Sequence, residues 1–483
     1  MPQSKVFTGV LWAAVQRFGT MIISFIANIV LARLLTPDDF GTVGMLLFFL
    51  AIANVFVDSG FGSALIQKKD ANDKDCSTVF VINIIMSTTL YAILFFSAPY
   101  IARFYDVPLL KPILRVQGLV LFINAFTIVQ STLLRKKLDF KKLSIANITG
   151  NIVGTVVAIV MAALGCGVWS LVARGLIVSS VVSALLWGMS DWKASLLFDK
   201  ASFTGLFNFG GFILLSRIIT TVSQNVQTMI IGKMFSSNDL GNYTQAKNLE
   251  NICSDSVSSI ICQVLYPTFS NCQDDNNQIA DKLNFSTYVI AYTIAPLMGL
   301  AIVLAPQIIT FLYGVKWVGC IMPFRILCFG GLFLSLQDIN YYVIAAKGKS
   351  RLLLYLNTLI LLLKLGLIIL GGHFYGLLGL LWACVAGMFF GYIIYSVAAI
   401  KNTKQIALKQ YWYCFLCFII NLIIGLLAYW LFGLIYCFIP EFLAVILVGI
   451  FYVSIYTLLS LIFNMAPFMY IIGSIKSLIT SRR

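Results

Sequence analysis

Five arginines and two lysines stand inside stretches that are otherwise apolar: Arg17, Arg115, Arg174, Arg217, Arg325, Lys247 and Lys364. Of these, Arg17, Arg115, Arg217, Arg325 and Lys247 are the candidate substrate-binding residues. An arginine at mid-bilayer costs roughly 2.5–3.5 kcal/mol on insertion scales, so it persists where it faces a cavity, a partner or a charged ligand. Guanidinium presents a flat fork of donors that stays charged when desolvated, which suits the oxygens of a phosphate or pyrophosphate. Arg17 and Arg217 lie too deep to reach headgroups easily, and they are read as lining a cavity. Arg115 and Arg325 open their helices nearer one surface, where snorkelling accounts for them as well as a site does. Four acids share these stretches, Asp58, Glu250, Asp255 and Asp338. They are too dispersed to name an ion site; balancing the arginines and carrying a coupling proton or Na⁺ both remain open. Arg17 and Asp58 reach similar depth from the same end, so they can pair, and such a pair can serve structure alone.

Other reactive residues carry less. Cys414 and Cys417 have CxxC spacing within an apolar run, where a redox or metal pair needs access and further ligands; packed cysteines are the simpler reading. His373 stands alone, so no metal site is expected. Nothing resembles a phosphate-binding P-loop, so ATP is not expected to drive the chain directly. No cofactor and no catalytic residue are expected. The acidic pair Asp38-Asp39 invites comparison with outer-loop acids of membrane glycosyltransferases. Helix capping is the preferred reading of the pair.

The elements that must hold these groups are membrane helices. The 483 residues are 60% hydrophobic and 11% charged, far outside the soluble range. Apolar runs of about 20 residues recur along the chain, each able to cross a core of roughly 30 Å. Fourteen spans are expected, the first at 7–34 and the last at 441–463, with no cleavable signal peptide at the start. The formal charge of +15 does not imply nucleic acid. Of 33 Lys and Arg, only Arg33, Arg103, Lys111, Lys233 and Lys316 fall on expected outer loops. That asymmetry places both termini in the cytoplasm, and basic runs such as Arg135-Lys136-Lys137 read as topology and anionic-lipid contact.

The first helix pair returns 200 residues later. Arg17 maps onto Arg217, Arg33 onto Lys233, Thr36 onto Ser236, Asp39 onto Asp239 and Gly41 onto Gly241. Ala98-Pro99 then matches Ala305-Pro306 at an offset of 207, and Arg115 matches Arg325 at 210. Six helices per copy is an even number, so the copies run in the same direction and should be related by an axis along the membrane normal. The expected division is an N-lobe at 1–190, a cytoplasmic linker at 191–203, a C-lobe at 204–400, and two further helices with a cytoplasmic tail at 401–483. In each copy a tight corner joins the first two helices. Thr36 or Ser236 can cap the second helix, Pro37 fits its first turn, and Asp39 or Asp239 completes a capping-box pattern. The helix after the second corner carries Asn242, Gln245, Lys247, Asn248, Glu250, Asn251 and Asp255. So polar a helix should face an aqueous interior.

Two stretches, Ala32-Arg33-Leu34-Leu35-Thr36-Pro37-Asp38-Asp39-Phe40-Gly41 and Asp58-Ser59-Gly60-Phe61-Gly62-Ser63-Ala64-Leu65-Ile66-Gln67-Lys68-Lys69-Asp70, give the chain its resemblance to a family. It resembles bacterial polysaccharide transporters, the O-antigen, lipopolysaccharide and capsule flippases of the multidrug/oligosaccharidyl-lipid/polysaccharide flippase superfamily. The resemblance covers most of the chain and includes the layout of six, six and two helices. It implies an all-α polytopic fold of about fourteen helices, two pseudo-symmetric six-helix lobes plus two C-terminal helices around a central cavity. The implied activity is translocation of an undecaprenyl-pyrophosphate-linked oligosaccharide across the bacterial cytoplasmic membrane, by rocking between inward-open and outward-open states. In related lipid II flippases cavity arginines hold the pyrophosphate, which points to Arg17 and Arg217 here. Expected partners are that lipid-linked oligosaccharide, bilayer lipids and polysaccharide polymerase or chain-length machinery, with the protein itself a monomer. Export of cationic drugs is an alternative, disfavoured by a lining of Arg17, Arg217 and Lys247. A membrane-embedded polymerase or ligase is a further alternative, and the short outer loops count against it.

Overall fold

The computed structural model describes residues 3–58, 61–68, 72–270, 272, 275–403, 408–436 and 439–470. Among these there is no strand, and sixteen helices follow one another: α1 Gln3–Leu34, α2 Pro37–Asp58, α3 Phe61–Gln67, α4 Asp73–Tyr105, α5 Leu110–Gln117, α6 Leu119–Lys136, α7 Phe140–Ala163, α8 Val168–Met189, α9 Lys200–Met234, α10 Ser237–Ser270, α11 Asn276–Val303, α12 Ala305–Tyr313, α13 Ile321–Ala346, α14 Ser350–Thr403, α15 Leu408–Ile435 and α16 Glu441–Ile462. Among the described residues, eleven stretches are long and apolar enough to cross a membrane. One of these, α14, is two spans joined at Gly376, whose φ of +62° a side chain would disfavour. With α9 and α10, 35 and 34 residues long, the fourteen expected crossings are all built from helices. Residues 59–60 and 69–70 of the motif that follows α2 lie outside the described residues.

Packing divides the chain at 244/245, later than the linker that the repeat suggests. The reason is that α9, the first helix of the second copy, packs on α2, α3 and α4 of the first. The sequence repeat and the packing units therefore record different things.

In the first unit the corner forms as its sequence predicts. The Asp39 carboxylate accepts from the Thr36 backbone N–H at 2.9 Å and from its hydroxyl at 2.7 Å, and the Asp39 N–H donates to Thr36 Oγ1 at 3.3 Å. The second copy repeats this box with Ser236 and Asp239. The two capped helix starts then meet. Gly41 of α2 and Gly241 of α10 lie so close that a Cβ on Gly41 would fall 2.6 Å from the Ser237 carbonyl carbon, and one on Gly241 2.7 Å from that of Pro37. Only glycine permits this approach. Asp38 ties the junction, accepting from Ser237 Oγ at 2.6 Å and from Asn238 Nδ2 at 3.4 Å. These contacts support capping and closure as the work of the acidic pair.

At the opposite end of α2 and α4, Phe61, Leu65, Val79, Phe80 and Val129 form a buried cluster against Trp187, Trp192 and Phe203. The linker 190–199 is held there: Ser195 bonds Ser77 at 2.6 Å, and the Asp199 N–H donates to Thr78 at 3.0 Å. Two of the basic loop residues have local tasks. Lys136 Nζ donates to carbonyls at the end of α3 and Lys142 Nζ to the Met189 carbonyl that ends α8, as cations at helix C-termini do.

In the second unit α13 packs on α14, and α11 packs on α13 and α15. The last two helices are fastened by tyrosines: Tyr456 Oη donates to the Tyr292 carbonyl at 2.8 Å, Tyr292 Oη to Ser460 at 3.0 Å, and Tyr452 Oη to Asn421 at 3.0 Å.

Candidate functional site

Within the first unit, Asp58 of α2 and Arg217 of α9 come together, while Arg17 lies on α1, which packs on α7. Asp58 ends α2 and accepts from Arg217 Nη1 of α9 in an intramembrane ion pair. Both side chains remain nearly half exposed, 45% for Arg217 and 42% for Asp58. The acid that sequence depth matched to Arg17 is thus engaged by the repeat-related arginine. The reason is packing, since α2 lies along α9 and brings Asp58 to it. Arg17 is exposed on α1. Near the pair, Asn124 of α6 donates to Asn54 of α2 at 2.9 Å, one helical turn from Asp58, so the α2 face carries polar groups beyond the acid.

The other arginine pair has a structural task. Proline lacks an N–H and leaves the carbonyl four residues earlier without its helical donor. In α4, Pro99 leaves Phe95 in that position, and Arg115 Nε donates to the Phe95 carbonyl at 3.4 Å. In the second copy Pro306 leaves Ile302, and Arg325 Nε donates to the Ile302 carbonyl at 3.1 Å. Each unsatisfied carbonyl in hydrocarbon costs several kcal/mol, so the duplicated Ala-Pro and the duplicated arginine belong together. The Arg115 guanidinium also lies 4.0 Å from the Phe95 ring centroid.

Lys247 belongs to a different group, in the second unit. It lies within electrostatic reach of Lys364, Cys384 and Glu250. Lys364 is buried on α14 with its stem against Gly387, and Glu250 is buried in the notch left by Gly331 of α13. Asp338 accepts from Ser258 of α10 at 3.5 Å. The side chain of Asp255 lies outside the described residues. The expectation that this helix faces water fails for much of its polar face: Gln245, Glu250, Ser254 and Ser258 are buried, while Asn248 is exposed. The small residues of α13 admit these groups, so polarity here serves helix packing. Lys364 stands alone among leucines at 361–365, the sequence signal for a buried cation at this place.

Comparisons place this arrangement among known proteins. Residues 30–322 match the model of a family described as polysaccharide biosynthesis protein. The chain is 25% identical over 361 residues to the teichuronic acid biosynthesis protein TuaB of Bacillus subtilis, covering 74% of this chain and 75% of that one. It is 23% identical over 418 residues to the lipopolysaccharide biosynthesis protein WzxC of Escherichia coli, covering 85% and 84%. Among solved structures, the lipid II flippase MurJ in an inward closed conformation superposes with a TM-score of 0.72 at 16% identity, over 94% of this chain and 99% of that one. An inward-facing multidrug resistance transporter of the MATE family superposes at 0.65 with 16% identity, over 82% and 98%. These structural likenesses establish the fold, an all-α multi-pass membrane fold of about fourteen helices. The family match spans more than half the chain, and the protein belongs to the polysaccharide biosynthesis protein family.

Proposed function

We propose that the protein carries a polyprenyl-pyrophosphate-linked oligosaccharide, with undecaprenyl as the lipid, from the inner to the outer leaflet of the bacterial cytoplasmic membrane by alternating access. Both termini are then cytoplasmic and the α1–α2 corner lies on the outer side. The observation that carries this reading is the half-exposed Arg217–Asp58 pair, with a second arginine, Arg17, exposed on α1. A fully buried pair has no need of ligand, whereas an accessible one can exchange partners. Pyrophosphate offers Arg217 bidentate, charge-assisted bonds in place of those to Asp58. Arg17 adds a second cation for the other phosphate, and the sugar needs only a wet path. Release of the substrate returns Arg217 to Asp58 and restores the resting charge balance.

The same exchange gives a route for coupling. Protonating Asp58 removes the charge that holds Arg217 and frees the guanidinium for pyrophosphate. Asp58 is the acid placed for that role, with Glu250 and Asp338 of the second unit as further candidates for a proton or Na⁺. The relatives named for teichuronic acid and lipopolysaccharide biosynthesis support a surface polysaccharide as the final product, with polymerase or chain-length machinery downstream and no enzymatic step in this chain. Drug export is the weaker reading, because a cationic drug meets an arginine that is already charged.

Complementation of a flippase-deficient strain tests the assignment. Arg217→Ala and Arg17→Ala should each abolish surface polysaccharide at normal expression, and Arg→Lys should restore part of it, since charge persists and the fork is lost. Normal export by both alanine variants would remove the pyrophosphate role.

A further inference from the structure

The two copies differ in the residue beside the repeat-related arginine. At Arg115 the guanidinium is stacked on Phe95. At the equivalent place in the second copy the residue is Ile302, which brings no ring to Arg325. A cavity of about 260 Å³ opens beside it, bounded by α11, α13 and α15. Helix α15 lies outside the sequence repeat.

Its lining is apolar apart from one end. Ile302 and Val303 of α11, Phe329 and Leu332 of α13, and Phe418 and Leu426 of α15 supply the walls, and Arg325 is the one charged residue among them. Asn421 also lines the cavity, but its amide is spent: Nδ2 donates to the Cys417 carbonyl and Oδ1 accepts from Tyr452. The cavity is many times the roughly 30 Å³ share of one water, and a space with so few polar partners does not hold ordered water. Arg325 is different. Its Nε is committed to the Ile302 carbonyl, which anchors the guanidinium at this end of the cavity. Leu426 and Tyr429 on the rim are each 63% exposed, so the slot opens on the apolar surface of the molecule rather than into its packed interior.

From the fixed cation at one end and the hydrocarbon slot behind it, we infer that this cavity is a resident phospholipid site. The phosphodiester sits on the Arg325 fork and one acyl chain lies between α11, α13 and α15. Arg325 lies in the fifth position of α13, near the start of that helix, and a headgroup phosphate of the nearer leaflet would meet it there. The lipid joins α15, outside the duplication, to the repeat. The proposal does not depend on the identity of the transported substrate.

The repeat supplies the test. Ile302→Phe should place a ring on Arg325 as Phe95 does on Arg115, closing the slot while keeping the Arg325–carbonyl bond. Gly425→Leu fills the same space from α15, where the nearest atom to a new Cβ is Val303 Cγ2 at 3.8 Å. The full-length protein, purified in mild detergent with phosphatidylglycerol present, is analysed by native mass spectrometry. Wild type should retain one phospholipid through detergent exchange. Ile302→Phe and Gly425→Leu should each lower that retention at least five-fold, with unchanged elution on gel filtration. Arg325→Gln should do the same, and Arg115→Gln should not. If one variant fails to fold, the other decides. Absence of retained phospholipid on wild type, equal retention by the folded slot-filling variants, or a polyprenyl lipid in place of the phospholipid would each overturn the inference.

Discussion

Replacing Gly41 by alanine should force open the junction between α2 and the start of α10. The new Cβ would stand 2.6 Å from the Ser237 carbonyl carbon, whereas ordinary contact begins near 3.4 Å. The two helix starts must therefore part by at least 0.8 Å, the difference of those distances. Backbone supplies the obstruction, so no side-chain rotation can relieve it. A similar displacement carries the 2.6 Å bond between Asp38 and Ser237 to about 3.4 Å or more, beyond the 2.5–3.0 Å range of hydroxyl hydrogen bonds. Gly241→Ala should act in the same way through Pro37, its Cβ 2.7 Å from that carbonyl carbon. The assay is oxidative cross-linking of Asp38→Cys to Ser237→Cys in a chain whose eleven native cysteines are replaced. The pair should cross-link rapidly with Gly41 present and several-fold more slowly with alanine. Polysaccharide export should fall in parallel, because the proposed alternating access requires this junction to close. Equal cross-linking rates and full export in Gly41→Ala would refute the claim that the two glycines exist for closure.

Other outcomes follow from the same geometry. Thr36→Ala removes one hydroxyl from a capping box and should destabilise the protein by about 1 kcal/mol, read as a lower unfolding midpoint with export retained. Arg115→Met leaves the Phe95 carbonyl without the Arg115 N–H, a loss of several kcal/mol in hydrocarbon; thermal stability should fall well beyond the Thr36→Ala effect. Asp58→Asn should leave Arg217 charged but no longer ion-paired, so substrate binding persists while dependence of transport on a pH gradient is lost; a variant with unchanged gradient dependence removes Asp58 from coupling.

The parts of the structure that were legible in sequence are those set by neighbours along the chain. Capping boxes need three residues of spacing, and both appeared where Thr36–Asp39 and Ser236–Asp239 predicted them. The repeat was equally plain, because it rests on residue identity. Partnerships across the bundle were harder to read. Asp58 reaches Arg217 across 159 positions, and depth in the membrane alone could not choose between Arg17 and Arg217, which lie at the same depth. The Arg115 and Arg325 assignments show a signal present and not combined. Ala-Pro and arginine recur in both copies, and a proline's carbonyl four residues back is a known vacancy. Together they specify the bond that the structure shows. The polarity of α10 misled for a related reason: composition reports that a helix is polar, and only the glycines of α13 decide whether those groups meet water or protein.

Reconstitution gives the most direct decision. Purified protein is placed in vesicles with a defined undecaprenyl-pyrophosphate-linked oligosaccharide, and exposure of the sugar on the far leaflet is followed with a membrane-impermeant enzyme. Wild type should move the sugar across, and Arg217→Ala should reduce the rate to that of protein-free vesicles while Arg217→Lys retains a fraction. Wild-type rates from Arg217→Ala would contradict the account.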